Sequence, residues 1–259
     1  MINLTENHLN CCVLISLGNS NGSGFLYRTD SFVYLVTAKH VILDESDSLR
    51  VEEIEIRCQS LNSKEEDIRI LKINLKKIKP QYDYNSDVVI IKFSKVKSIN
   101  TDKSFQGGYL EGVEIIQKGR FKPIAIDREN IKLLEDVKIA NDIYVFGYPT
   151  SIGIPNSMQF DPTKPLLRKG IVANINEKEK TIILDCPVYG GNSGGPVVQI
   201  IDNGTKETIS VIGVVSQYIP YVQKWKSFRD NLINTEYLNS GYSVASPFDL
   251  ILKLIEDEA

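Results

Sequence analysis

A glycine-rich heptapeptide near residue 190 constrains the fold of this chain most strongly. Residues 190–196 read GGNSGGP and lie between two apolar stretches rich in β-branched residues, 181–188 and 196–201. Glycines allow backbone angles that a side chain would forbid and let another segment approach closely, and the flanking stretches favour buried strands. We therefore expect a tight turn between strands that aims several N–H groups at one point beside Ser193.

Ser193 needs other groups to become a nucleophile, because a serine hydroxyl is reactive only when a base removes its proton and a third group orients that base. The chain has two histidines. His8 lies in a polar N-terminal stretch, whereas His40 follows the apolar stretch 32–37, which predicts a strand running into a short turn. His40 is therefore the candidate base, and a carboxylate is expected beside it.

The composition excludes several function classes. Thirty basic and 33 acidic side chains, interspersed along the chain, give a net charge of −3, which provides no electrostatic footprint for nucleic acid or an anionic membrane surface. No apolar run reaches the roughly 18 residues that a membrane helix needs. We expect no nucleic-acid partner and no membrane association.

The N-terminus and the cysteines favour a cytoplasmic protein. The first residues include Glu6 and form no cationic cluster ahead of an apolar core, so a secretory signal is not predicted. The four cysteines include an adjacent pair and show no CxxC spacing, which favours small buried side chains in a reducing compartment over disulfides or a metal site. These cysteines are Cys11, Cys12, Cys58 and Cys186.

Turn signals separate about a dozen short apolar stretches, which predicts an all-β fold. Residues 1–100 are expected to form one antiparallel six-stranded barrel. Residues 101–259 are expected to hold a linker, a second six-stranded barrel and a C-terminal helix over 247–255. The predicted strands are 11–17, 24–28, 32–37, 51–59, 68–78 and 88–93, then 113–117, 121–126, 143–148, 166–175, 181–188, 196–201 and 208–219.

Three segments are predicted to be connections. The polar segment 94–108 is the expected link between the halves. The segment 149–165 holds four prolines, which limits it to extended or turn structure. The insertion 221–240 carries the single tryptophan, Trp225, and is interpreted as a solvated loop with partner docking as an open alternative.

Three blocks of this sequence resemble trypsin-like serine proteases of the chymotrypsin fold. They are the residues TAKH at 37–40, DVVIIK at 87–92 and GNSGGP at 191–196, in that family's order and at spacings suited to two successive barrels. Asn192 and the stretches 168–172 and 213–216 are most similar to the intracellular and HtrA-type bacterial branch. A PDZ domain is not expected, because the chain ends at Ala259.

The resemblance implies roles for individual residues. His40 would take the proton of Ser193 and return it to the leaving amine, and Asp87 would orient the imidazole. The N–H groups of Gly191 and Ser193 would bind the oxyanion, and Ser216 resembles a serine that supports the aspartate. No metal and no cofactor are implied.

The same resemblance implies a substrate-binding wall but leaves its preference weakly defined. Its residues would be Pro187, Val188, Tyr189, Gln217, Tyr218 and Ser243. No acidic side chain occurs in these segments, so small or apolar substrate side chains are the expectation. Val41 stands where extracellular relatives have a cysteine. Asn192 replaces the aspartate that pairs with a new N-terminus, which predicts an oxyanion loop that is preformed or is ordered by a partner or substrate.

Each residue also has an ordinary structural interpretation. Ser193 alone would be a turn residue, His40 a satisfied histidine and Asp87 a turn-closing carboxylate, with Asp83 and Asp47 as alternatives for its role. The predicted function is a serine endopeptidase acting on protein or peptide substrates, with a regulatory protein partner left open. The alternatives are a catalytically silent binding relative and an esterase that uses the same three residues.

Overall fold

The computed structural model describes residues 10–59, 64–99, 105–120, 123–149, 161–202, 207–226, 229 and 232–258. His8 and most of the predicted proline-rich connection 149–165 lie outside these ranges. Within them, no helix has the length and apolar character needed to cross a membrane.

The chain folds into two antiparallel β-sheets and a C-terminal helix, which confirms the predicted fold class. The helices are α1, Lys39–Ile42, and α2, Phe248–Glu258, with 3-10 turns at Glu65–Asp67, Arg128–Asn130 and Leu134–Asp136. Strands β1 to β15 are Cys12–Leu17, Ser20–Arg28, Phe32–Thr37, Glu53–Cys58, Arg69–Asn74, Gln81–Tyr82, Val89–Ile99, Phe105–Tyr109, Val113–Lys118, Asp142–Gly147, Leu166–Asn176, Thr181–Asp185, Pro196–Asp202, Glu207–Lys226 and Ile233–Pro247.

The first sheet has nine strands among the described residues rather than the predicted six. Its order is β6-β7-β3-β2-β1-β4-β5-β9, with β8 paired to β7. The segment 94–108, predicted as a polar connection, instead contributes the end of β7 and most of β8, which form a hairpin. Val96 and Tyr109 explain the difference, because these two side chains pack against the first hydrophobic core and favour the sheet over an open linker.

The second sheet closes into the six-stranded barrel β10-β11-β12-β15-β14-β13. Two of its predicted strands lie elsewhere. Val113–Lys118 pairs with β5 of the first sheet. The segment 121–126 forms no strand in its described part, where Ile126 makes an isolated bridge to Tyr27. Strand β15, which is absent from the predicted strands, closes the barrel by pairing its residues 242–245 with β12.

In the insertion 221–240, the described residues 221–226 and 233–238 form a two-stranded ribbon where β14 and β15 continue beyond the part that pairs with β12 and β13. Its register pairs Tyr221 with Leu238 and Trp225 with Asn234. Trp225 is 53% exposed, and Tyr237 is 65% exposed. The ribbon begins only a few residues after Ser216, so it adjoins the candidate site described below.

A shared hydrophobic core joins the two sheets and the C-terminal helix. Phe25 of the first sheet and Val214 of the second belong to one buried cluster, together with Phe248, Ile251 and Leu254 of α2. These helix residues recur at helical spacing, so one face of α2 is buried. The cluster fixes the relative position of the two sheets and therefore of the residues that each contributes to the candidate site.

Candidate active site

Strand pairing in the first sheet brings His40 and Asp87 together. Thr37, at the end of β3, pairs with Val89, at the start of β7, so the residues just beyond these ends are neighbours. The His40 Nδ1 atom lies 2.9 Å from Asp87 Oδ2 and 3.1 Å from Oδ1. The backbone N–H of His40 also donates to Asp87 Oδ1 at 3.0 Å. Asp87 thus fixes both the position and the tilt of the imidazole, leaving Nε2 directed elsewhere.

Asp87 is held in its ionised form by these contacts. Burial alone would raise the pKa of its carboxyl, but the hydrogen bonds and charge of His40, with a hydrogen bond from Ser216, outweigh burial and lower the pKa below its usual value. Ser216 Oγ donates to Asp87 Oδ2 at 2.5 Å. Ser216 is buried, and His40, with a side chain 49% exposed, is open to solvent.

The two alternative carboxylates are engaged elsewhere. Asp47 forms an ion pair with Lys39 at 3.2 Å. Asp83 lies 3.9 Å from the ammonium group of Lys253 and accepts a hydrogen bond from the N–H of Asn85. Among the described residues, Asp87 is the carboxylate that contacts the His40 imidazole.

Pairing in the second sheet places Ser193 beside Ser216. Pro196, at the start of β13, pairs with Val214 of the antiparallel strand β14. The turn that precedes β13 therefore lies against the residues of β14 that follow Val214. Ser193 Oγ donates to the carbonyl of Ser216 at 3.2 Å. No hydrogen bond within the described ranges joins Ser193 Oγ to His40, so the hydroxyl has to exchange its acceptor before the imidazole can take its proton.

The loop of residues 189–195 carries the candidate nucleophile Ser193 and is called the nucleophile loop below. Its own polar groups close it. The N–H of Tyr189 donates to Asn192 Oδ1 at 3.0 Å, and the N–H of Asn192 donates to the Tyr189 carbonyl at 2.9 Å. Gly191 has a φ of 96°, in the region that favours glycine. The N–H groups of Gly191 and Ser193 donate to no other described residue, which leaves two amide donors for an incoming oxygen.

Ser23 of the first sheet contacts the candidate site, although no sequence pattern singles this residue out. Its N–H donates to the Ser193 carbonyl at 3.0 Å, and its Oγ donates to the Gly191 carbonyl at 2.6 Å. The N–H of Tyr148 in turn donates to Ser23 Oγ at 2.8 Å. Ser23 is fully buried and connects the two sheets at the nucleophile loop. The sequence GSG at 22–24 places three small residues within β2, which allows another segment to approach closely but does not identify that segment.

Gly194 is required by both space and backbone angle. It has a φ of 87°, and a Cβ at this position would lie 2.1 Å from the Ser23 carbonyl oxygen and 2.1 Å from Thr37 Oγ1. Its N–H donates to the Val215 carbonyl at 2.8 Å. The glycine therefore lets the loop carrying Ser193 pack directly against the first sheet.

The six predicted substrate-binding residues differ in accessibility. Tyr189, Gln217 and Tyr218 are exposed, and Pro187 is half-buried. Val188 is buried in the core of the second barrel. Ser243 is also buried, and its Oγ donates to the Cys186 carbonyl at 2.8 Å.

The cysteines do not contribute to the site. All four are buried, and none of them forms a disulfide. Burial raises the pKa of Cys11 and Cys58 to about 12, and that of Cys186 to about 11. No group of three or more potential metal ligands occurs among the residues that the structure describes.

Comparisons with known proteins agree with this architecture. A family model described as a trypsin-like peptidase domain matches residues 22–205, a range that includes His40, Asp87 and Ser193. No curated protein matches the chain in sequence.

Two solved structures have the same fold. One is a serine endoprotease from Yersinia pestis, with a TM-score of 0.53 and 18% identity, and the match covers 99% of this chain and 67% of that one. The other is the HtrA-type protease AlgW in a structure with a tripeptide, with a TM-score of 0.50 and 14% identity. That match covers 96% of this chain and 60% of the AlgW chain. At these identities the likeness concerns the fold.

Proposed function

From the chain's membership of the trypsin-like peptidase family, which makes it a serine protease acting on peptides or proteins, we propose that it cleaves peptide bonds through Ser193, His40 and Asp87. The observation that carries this proposal is the continuous set of contacts from His40 to Asp87, from Asp87 to Ser216 and from Ser216 to Ser193. A base, the carboxylate that orients it and a hydroxyl are the three groups that serine-based acyl transfer requires.

The first half of the reaction forms an acyl-enzyme. Ser193 Oγ turns from the Ser216 carbonyl to His40 Nε2, gives up its proton there and attacks the substrate carbonyl carbon. The C–N bond then breaks as the imidazolium returns that proton to the leaving amine. Asp87 remains ionised, since its lowered pKa keeps it a carboxylate, and it stabilises the imidazolium that forms.

The second half releases the product by the same route. A water molecule gives one proton to His40 and attacks the acyl carbon, and the C–O bond to Ser193 breaks as the proton returns to Oγ. In both halves the negative oxygen of the tetrahedral intermediate would accept hydrogen bonds from the N–H groups of Gly191 and Ser193. Removing one such donor costs about 2.7 to 4 kcal/mol in a serine protease of a different fold.

We further propose that the nucleophile loop is preformed. The Asn192 side chain is satisfied by the N–H of Tyr189 within the loop itself, and an uncharged amide leaves no buried carboxylate in need of a cationic partner. Peptide hydrolysis by the full chain, unchanged after controlled trimming of the N-terminus, is the expected result. Activity that appears only after trimming would contradict a preformed loop.

The test of the catalytic assignment compares variants on a mixed peptide library. Ser193→Ala and His40→Ala should each lower kcat by several orders of magnitude, and the double variant should be no worse than the worse single one, because residues that act as a unit are not additive. Asp87→Ala should lower kcat as well, because the imidazole loses the carboxylate that orients it. Asp47→Ala is the matched control and should retain activity, since Asp47 is a nearby carboxylate paired with Lys39 instead of His40. Equal activity of the Ser193→Ala variant and the parent protein would overturn the proposal.

A further inference from the structure

Arg168 of β11 places a positive charge against the nucleophile loop. The guanidinium carbon lies 4.5 Å from the centre of the Tyr189 ring. The Nε atom of Arg168 is buried and has no hydrogen-bond partner. Within the described ranges, no hydrogen bond or ion pair satisfies any nitrogen of this guanidinium, so the aromatic ring is its one specific contact there.

The orientation of β11 explains how this side chain reaches the loop. Residues 168 and 170 lie on the same face of the strand, because side chains alternate along a strand. A Cβ on Gly170 would lie 2.6 Å from the Cβ of Cys186, so this face packs against the segment that leads into Pro187 and Tyr189. The charge of Arg168 also works against the burial that raises the pKa of Cys186, as expected of a neighbouring cation.

Tyr189 is fixed relative to Ser193 by the backbone. Its N–H and its carbonyl are both bonded to Asn192, the residue before Ser193. The Tyr189 ring is 36% exposed, so the stacked pair of ring and guanidinium borders solvent beside the candidate nucleophile. Tyr189 is also one of the residues that the resemblance assigns to the substrate-binding wall.

A half-buried guanidinium without an anion is an unusual arrangement. A buried donor left without a partner is destabilising, and more so when it is charged. The planar fork of arginine matches a carboxylate with two parallel hydrogen bonds, and stacking on an aromatic ring orders the fork before the anion arrives. Asp185, the acidic residue nearest in sequence to this wall, is exposed and forms no ion pair with Arg168.

We propose that Arg168 is a specificity-determining residue that binds an acidic side chain, glutamate or aspartate, of the substrate residue whose carbonyl Ser193 attacks. This inference rests on the proposed function and adds its substrate class. It replaces the expectation of small or apolar side chains, which considered only the segments 187–189, 216–218 and 241–243. Arg168 comes from a fourth segment, and the strand packing brings it to the same wall.

The experiment uses matched peptides that differ only at the residue before the scissile bond. Glutamate is compared with glutamine and aspartate with asparagine, in peptides amidated at the C-terminus so that the side chain is the only source of a carboxylate. We expect kcat/KM to be about tenfold to hundredfold higher for glutamate than for glutamine, the range for a charge-assisted hydrogen bond. The Arg168→Met variant should bring this ratio close to one, and Arg168→Lys should retain part of it.

Lys169→Met is the matched control. It removes one positive charge from the adjacent position of the same strand, but Lys169 points to the opposite face and pairs with Asp142 at 2.6 Å. The ratio of glutamate to glutamine turnover should therefore stay at the parent value in this variant. An equal decrease in Lys169→Met and Arg168→Met would show that net charge, not Arg168, sets the preference.

Labelling by a fluorophosphonate separates failure of this inference from failure of the proposed function. The reagent reacts with the activated serine whatever the neighbouring substrate residue, and it also reports whether Arg168→Met has folded. A labelled enzyme that cleaves glutamine and glutamate peptides equally, or prefers glutamate after Arg168→Met as before, overturns the role of Arg168. Absence of both labelling and turnover in the parent protein overturns the proposed function itself.

Discussion

Replacing Ser23 by alanine separates the positioning of the nucleophile loop from its chemistry. The substitution removes one oxygen atom that makes two buried contacts. Ser23 Oγ donates to the Gly191 carbonyl at 2.6 Å and accepts from the N–H of Tyr148 at 2.8 Å. The N–H of Ser23 still donates to the Ser193 carbonyl, so the two sheets remain connected at this point.

The magnitude follows from what is left unpaired. Both the Gly191 carbonyl and the Tyr148 N–H lose a partner. An unsatisfied buried group costs about 1 to 3 kcal/mol, which applies in full to Tyr148 and only in part to Gly191, because Tyr148 is buried and Gly191 is half-buried. We expect the free energy of unfolding to fall by about 2 to 4 kcal/mol. Gly191 also carries, on its N–H, one of the two donors proposed for the oxyanion, so a small shift of this residue after loss of its carbonyl contact should lower kcat by about tenfold to hundredfold with little change in KM.

The assay is urea unfolding together with steady-state kinetics on one peptide. Ser20→Ala is the control, since Ser20 lies in the same strand but donates only to the nearby Leu17 carbonyl at 3.3 Å and is exposed. It should change stability by less than about 0.5 kcal/mol and leave kcat unchanged. A Ser23→Ala protein with lower stability but unaltered kcat would refute the positioning role. Unaltered values of both would refute the hydrogen bonds themselves.

Three further predictions test other parts of the structure. Gly194→Ala should prevent folding or abolish activity, because its Cβ would meet the Ser23 carbonyl at 2.1 Å and its φ is 87°; circular dichroism and activity close to those of the parent would contradict this. The lowered pKa of Asp87 means that its ionised form stabilises the fold above the unfolded pKa, near 3.8, and that this contribution is lost as the pH falls through the lower folded pKa. The free energy of unfolding should therefore fall more steeply below about pH 4 in the parent than in Asp87→Asn, and parallel curves from acid titration would be the contrary result. Burial raises the pKa of Cys11 and Cys58 to about 12, so iodoacetamide should label these thiols at neutral pH only after denaturation, whereas fast labelling of the native protein, seen by mass spectrometry, would be inconsistent with this packing.

Local sequence patterns were sufficient to predict the two strands next to His40 and Asp87. Turn residues bound the apolar stretch 32–37 and precede the apolar stretch that begins after Asp87. The first stretch has the same bounds as β3, and the second begins within two residues of the start of β7. The contact between His40 and Asp87 follows from the pairing of these two strands. Whether they and Ser193 perform the proposed chemistry stays a prediction until it is measured.

The parts that depend on contacts distant in sequence could not be predicted in the same way. The segment 94–108 is polar and mixed in charge, yet most of it forms a hairpin, because the side chains of Val96 and Tyr109 pack against the first hydrophobic core. The sequence predicts a loop where β14 and β15 form the ribbon, since Pro220, Lys224 and Lys226 interrupt the apolar pattern.

Arg168 and Ser23 show the same limit within the site. An arginine in a strand and a serine between two glycines carry no local sign of their partners. Their importance follows only from where β11 and β2 lie against residues 186–195. Sequence patterns therefore supplied the candidate reacting groups, whereas the residues proposed to position them and to bind the substrate could be recognised only in the packed structure.

The proposed function requires that the fold activate the Ser193 hydroxyl as a nucleophile. The most direct measurement is the intact mass of the protein after brief exposure to a fluorophosphonate, followed by peptide mapping of the modified residue. We expect one adduct per chain, located on Ser193, that forms rapidly in the parent protein, slowly in His40→Ala and not in Ser193→Ala. An unmodified parent protein, or an adduct on a different residue that forms equally in Ser193→Ala, would contradict it.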